Sequence, residues 1–299
     1  MKEKLALITF LLILSLSILW FNEDKAVINA GGNAEGIVVT LGENLTESQK
    51  RQVLDVFSKF RDLKDVKIIT VSNVEERQLL AGVVDESLIG SRAISSAYVE
   101  VMEKSNGIEV KTENITSITP FMYANALATA GIEDSRVIVA APFPVSGTAA
   151  LAGIMKAFET AKGEKLSPEA KKTAAKEAAE TSRLGEKIGK DNAEKLVFEI
   201  KKRVLDKNIS EPEEIKRIII EVSGNLNINL SEADIDRITQ LMIRLQRLDI
   251  SINDIGQQLK LLDRNLKDIK GLTGETKSFL QRIIEFLKNI IMSIKEALS

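Results

Sequence analysis

The apolar stretch Val137 to Ala141 runs into Pro142-Phe143-Pro144-Val145-Ser146-Gly147-Thr148, after which Leu151, Ile154, Met155 and Phe158 recur at helical spacing. A strand end that feeds a helix start is where α/β sheets bind ligands, because the unpaired N–H groups of the first turn and the helix dipole favour an anion. Ser146 and Thr148 add hydroxyl donors there. A plainer role also fits: Ser146 as the helix cap, with the prolines stiffening the loop. A second polar segment, Gly90-Ser91-Arg92-Ala93-Ile94-Ser95-Ser96-Ala97-Tyr98, offers a cation and further hydroxyls. The ligand-binding set read from sequence is therefore Arg92, Ser95, Tyr98, Ser146, Gly147 and Thr148.

The rest of the composition narrows the chemistry sharply. The 299 residues contain neither histidine nor cysteine. Imidazole bases, thiolate nucleophiles, Cys/His zinc sites and disulfides on this chain are excluded. There is no GxGxxG, no GxSxG and no Ser-x-x-Lys, and Gly185-Glu186-Lys187-Ile188-Gly189-Lys190 is one residue short of a phosphate loop. The acidic neighbours Glu75-Glu76, Asp85-Glu86 and Glu133-Asp134 read as solvated faces or helix starts. No catalytic residue, metal ligand or cofactor motif is assigned. With 41 basic and 43 acidic residues the net charge is −2, which leaves no electrostatic footprint for nucleic acid. The enzymatic alternative is a hydrolase of wall material, using Ser146, Thr148, Tyr98 or a carboxylate with Arg92.

These residues need a scaffold, and the spacing supplies one. Ile37 to Leu41 and Val66 to Val71 are β-branched runs on either side of a helix from Thr46 to Phe60, and Thr46 with Gln49 forms a capping box. This predicts a βαβ unit. Ala93 to Lys104 and Ile108 to Ile118 flank Asn106-Gly107, which predicts a hairpin with a type I′ turn. Pro120 opens a helix that stops at Gly131, and Val137 to Ala141 reads as a central strand. The fold class is α/β, a mixed-sheet head followed by an all-helical C-terminal region.

Beyond Pro168 the texture is helical. Glu169 to Glu180, rich in Ala, Lys and Glu, reads as an exposed helix or helical linker. Helices are predicted over Asn192 to Asp206, Pro212 to Ser223 and from Glu232 onward. In the last, Ile238, Leu245, Ile252, Leu259 and Leu266 fill one heptad position, and Leu241, Leu248, Ile255, Leu262 and Ile269 the other. Self-association through a coiled coil over 238–269 and an intramolecular bundle both fit that spacing. Gly271 to Gly274 breaks the pattern, and residues 275–299 form an amphipathic helix suited to a membrane surface, a partner protein or the preceding helix. The expected divisions are 1–30, 31–165, 166–230 and 231–299.

The N-terminus carries an address. Lys2 and Lys4 precede a 17-residue apolar run from Leu5 to Phe21, followed by Asn22, Glu23 and Asp24. The charge asymmetry predicts export of everything after Phe21. The length fits either a cleaved signal ending near Ala30 or a retained anchor. The expected location is outside the cell or on the outer face of the cytoplasmic membrane. Four sequons, at Asn44, Asn114, Asn208 and Asn229, become glycosylation sites in a suitable host. Thr46, Ser210 and Ser231 of those sequons serve equally as helix N-caps.

Val66 to Asn73, Gly90 to Val99, Thr119 to Ala126 and Ala140 to Ala150 carry a resemblance. Through them the chain resembles the exported family catalogued as domain of unknown function 1002, found in Firmicutes and some archaea. The likeness spans roughly Gly36 to Lys270. It implies export and one shared architecture, with no activity, cofactor or catalytic residue to carry over. The sequence thus points to an exported, envelope-associated protein for binding, interaction or structure, with a hydrolase and a small-anion sensor near Gly147 as alternatives.

Overall fold

Thr46 starts the first helix as its sequence requires: its hydroxyl accepts from the Gln49 N–H, and the Gln49 side chain accepts from the Thr46 N–H at 2.9 Å. In the computed structural model, which describes residues 36–82, 89–249 and 254–262, strand β1 (Ile37–Gly42), helix α1 (Glu47–Ser58) and strand β2 (Lys67–Val71) form the expected parallel βαβ unit. Helix α2 (Asn73–Leu80), strands β3 (Ser96–Val101) and β4 (Ile108–Ile115), helix α3 (Pro120–Thr129), strand β5 (Ser135–Val145) and helix α4 (Thr148–Lys162) complete the head.

The hairpin expectation is overturned. The sheet order is β2-β1-β3-β5-β4, so β5 lies between the two strands that Asn106-Gly107 was expected to join. It runs antiparallel to β3 and parallel to β4. A type I′ turn needs positive φ at Asn106 and Gly107, but the positive values fall on Ser105 and Gly107. The turn docks on Asp134 instead, whose carboxylate accepts from the Gly107 N–H at 2.7 Å. The strand itself supplies the reason. Val137 and Val139 face one core while Ile138 and Ala140 face the other, and a strand apolar on both sides gains most in the middle of a sheet.

Strand alternation assigns the two faces. Val38, Ala97, Val99, Val137 and Val139 pack beneath α3 and α4. Ile37, Val39, Leu41, Tyr98 and Ile138 pack beneath α1 with Val53 and Phe57.

The helices α5 (Pro168–Ile188), α6 (Lys190–Asp206), α7 (Pro212–Asn225) and α8 (Glu232–Gln246) follow. Helix α5 is not the exposed linker expected. Ala170, Ala174, Ala175 and Ala178 are all fully buried, because a face of alanines lets α5 come close to the equally small-residue α3. Its Lys/Glu content misled because one carboxylate turns inward. Glu177 accepts from Thr129 and from Lys201 of α6, whose ammonium also reaches the Asn125 side-chain oxygen at 3.0 Å and its backbone carbonyl at 2.7 Å. Burial pushes the Lys201 ammonium below the ordinary lysine range, and Glu177 opposes the shift. Ser210 does not cap α7; the N-cap is Glu211, with Pro212 in the first turn.

A continuous heptad helix is not observed. Helix α8 ends at Gln246 and helix resumes over 254–262. Ile238, Leu241, Leu245, Ile255, Leu259 and Leu262 are all buried within the chain, which is the seam of an intramolecular bundle. Ile252, Leu266 and Ile269, and the expected amphipathic helix over 275–299 and expected export signal at the N-terminus, lie outside the described residues. Among the described residues no helix is long and apolar enough to cross a membrane.

Candidate functional site

The C-terminal end of β5, the segment leading into β3, the start of α2 and the first turn of α4 meet at one end of the sheet. They enclose a cleft of about 220 Å³ lined by Glu76, Gly90, Ser91, Arg92, Ser95, Phe143, Ser146, Gly147 and Thr148 among others. Five of the six residues read from sequence come together here: Arg92, Ser95, Ser146, Gly147 and Thr148. Tyr98 does not. It sits 1% exposed on the α1 face, tilted against Phe57, with its hydroxyl donating to Glu100 at 3.2 Å. Burial and the Glu100 carboxylate both push its phenol far above the usual range. Tyr98 lies within β3 on the sheet face covered by α1, away from the cleft.

The capping role for Ser146 is replaced by a different arrangement. Gly147 is the N-cap of α4 at φ 97°, and no side chain caps the helix. That left-handed conformation suits glycine alone, and a Cβ here would run into the Tyr123 hydroxyl. The hydroxyl instead donates to the Gly147 carbonyl at 2.6 Å. No side chain therefore satisfies the first-turn donors of α4, and Gly147, Thr148 and Ala149 line the cleft.

An acid that the sequence reading dismissed lines the same cleft. Glu76 is 1% exposed. Its carboxylate accepts from the Thr148 hydroxyl at 2.7 Å and from the Asn73 amide at 3.0 Å. Ser146 Oγ lies 3.3 Å from Thr148 Oγ1, so the three side chains form a line from loop to buried acid. Burial lifts the Glu76 carboxyl above its ordinary range, and the Thr148 and Asn73 hydrogen bonds offset only part of the shift. A signal for Glu76 does exist in sequence: Ser72 and Glu75 form a capping box that fixes α2 and places Glu76 on the face of Leu79 and Leu80.

Asn73 has a second task. The same amide nitrogen donates to the Gly90 carbonyl at 2.7 Å, tying α2 to the segment that carries Arg92. Immediately after Arg92 the segment is pinned again by Asn44, whose side chain accepts from the Ala93 N–H at 2.8 Å and whose own N–H donates to the Ala93 carbonyl at 3.1 Å. Arg92 between these anchors is exposed, with no hydrogen-bond or ion-pair partner among the described residues.

A larger groove of about 340 Å³ runs between α2, α4 and the start of α5. Its carboxylates are already engaged: Glu75 with Lys156 at 2.5 Å, and Glu159 with Lys171 at 2.8 Å and Lys165 at 3.2 Å. Among the described residues no group of acidic side chains converges to hold a metal ion. The sequon asparagines Asn44, Asn114, Asn208 and Asn229 are all exposed.

The model of the family described as "Protein of unknown function (DUF1002)" matches residues 41–262. The chain belongs to this family. It is also 37% identical to the uncharacterized protein YpuA of Bacillus subtilis (strain 168) over 256 residues, which covers 85% of this chain and 87% of that protein. No solved structure matches the chain significantly. The family match takes in every strand but the first residues of β1, the whole cleft and all the helices described after it.

Proposed function

We propose that the chain is an exported, envelope-associated binding module whose cleft at the head of α4 takes a small anion carrying a carboxylate, sulfate or phosphate group. The observation that carries this reading is Arg92, a guanidinium with no described partner, lining the same cleft as an uncapped helix N-terminus and the Ser95 and Ser146 hydroxyls. A guanidinium and oriented N–H groups are the donors that recognise planar or tetrahedral oxyanions. The cleft volume suits a small group or the end of a larger molecule. Export rests on Lys2, Lys4 and the run from Leu5 to Phe21.

The test is calorimetric titration of the full chain with sulfate and with acetate. Saturable binding that Arg92→Ala abolishes supports the module, and absence of binding to both anions overturns it. Sequencing the N-terminus of protein taken from native envelopes tests the address: a start near Gly31 indicates a cleaved signal, and Met1 on soluble cytoplasmic protein removes export.

One observation favours a second reading as a hydrolase. The Ser146, Thr148 and Glu76 side chains form a hydroxyl relay ending on a carboxyl whose raised pKa suits a general base. Loss of wall-hydrolysing activity in Ser146→Ala, with anion affinity retained, supports that reading over pure binding.

A further inference from the structure

We propose that the cleft binds its anion together with a proton, which Glu76 takes up. The inference rests on the anion-binding reading above and adds its regulation.

Glu76 is itself an anion built into an anion site. Its carboxylate lines the cleft and is held against the first residue of α4 by the Thr148 hydroxyl at 2.7 Å. An ionised Glu76 therefore occupies the favourable end of the helix dipole and repels any second negative charge brought to it. Two like charges that share a small, partly desolvated site do not both stay ionised.

The surroundings decide which charge gives way. On α2 itself the nearest cation is Arg77, whose Nε is turned to the Asn73 side-chain oxygen at 3.3 Å. Glu75 on the same helix is neutralised by Lys156 of α4. From α3 comes Tyr123, fully buried, with its hydroxyl committed to the Gly147 carbonyl and its phenol pushed far up by burial first and by Glu76 second. The loop before β3 contributes Arg92, which faces the ligand space of the cleft. The loop before α4 brings the neutral Ser146 and Thr148. Where α5 approaches from behind, the small space beside Thr148 is lined by Ala175, Ala179 and Ser182, none of them titratable. Arg77 opposes protonation through space, but no described cation makes an ion pair with Glu76, so the acid accepts a proton when a second anion enters the cleft.

The hydrogen bonds then rearrange without loss. A protonated Glu76 turns from acceptor to donor toward Thr148 Oγ1, and the Thr148 hydroxyl, released from the carboxylate, turns its own hydrogen toward the ligand. The proton comes from solvent and no covalent bond changes. A further hydroxyl, that of Ser95, lines the same cleft.

The experiment is calorimetry on the full chain with sulfate, which stays fully ionised from about pH 5 to about pH 8, in two cationic buffers of different ionisation enthalpy. The expected result is net uptake of up to one proton per sulfate, and affinity that falls up to about tenfold per pH unit once Glu76 ionises. Glu76→Gln, confirmed folded by circular dichroism, is expected to bind sulfate with no proton uptake and with pH-independent affinity. The proton count on the wild-type chain decides the matter even if that variant does not fold. Sulfate binding with no linked proton overturns the proton coupling and leaves the anion cleft standing. No binding of sulfate by the wild-type chain across the whole range overturns both.

Discussion

Lys201 Nζ lies 3.1 Å from Glu177 Oε1, and the two side chains are 0% and 1% exposed. They join α6 to α5 at the point where Asn125 and Thr129 of α3 supply the remaining acceptor and donor. A buried, hydrogen-bonded ion pair is the setting in which loss of one partner is most damaging, because the survivor is left charged and dry.

Lys201→Met is accordingly expected to destabilise the protein by about 3 to 5 kcal/mol, read as a lower urea midpoint. Adding Glu177→Leu to it is expected to recover a large part of that loss, since no buried charge then remains. A double variant no more stable than the single one sinks this account of the pair.

Gly147→Ala is expected to cost about 1 to 3 kcal/mol through its left-handed backbone alone. Displacing the Tyr123 hydroxyl from the Gly147 carbonyl adds to the loss. Thermal unfolding checks this, and a wild-type melting temperature in the variant counts against the φ of 97°.

Asp234 gives the chain an acid-sensitive anchor between α5 and α8. Its own burial favours the protonated form, but Ser231, Lys187 and Arg183 outweigh that and hold the carboxyl below the ordinary range. A depressed folded pKa contributes stability that is complete above the unfolded value of about 3.8 and is lost as pH falls through the folded one. Asp234→Asn is expected to lower stability at neutral pH and to flatten its decline in acid. Urea midpoints from about pH 7 to about pH 2 that decline in parallel for both proteins contradict the assignment.

Asn73→Ala removes the amide that binds both Glu76 and Gly90. The expected loss is about 1 to 2 kcal/mol, with faster amide exchange concentrated at residues 90–93. Unchanged exchange there means that the Asn44 contacts with Ala93 hold the segment unaided.

Much of this architecture can be read from local rules. Thr46 and Gln49 announce α1, Pro120 announces α3, and the apolar core of β5 announces a central strand. The cleft was also legible in outline, because a strand end, a glycine and two hydroxyls are contiguous at Val145 to Thr148. What local rules miss is pairing at long range. Asn106-Gly107 is a strong turn signal, yet the turn serves Asp134 and not a hairpin, since the choice between β4 and β5 as the neighbour of β3 depends on two-faced burial. Glu76 and Lys201 were overlooked for the same reason: each belongs to a polar-looking stretch, and only its partners, 72 and 24 residues away, turn it inward. Tyr98 shows the opposite error, in which proximity in sequence to Ser95 hides the sheet face on which it lies.

The position of β5 has a consequence for how the chain is made. Strands β3 and β4 are neighbours in sequence but must be held a strand's width apart until residues 135–145 arrive to fill the gap. The sheet therefore cannot be finished by an emerging polypeptide that has delivered only its first four strands, and the floor of the cleft is completed by the strand that comes last. A sheet with this topology closes in one late step, after β5 has been delivered.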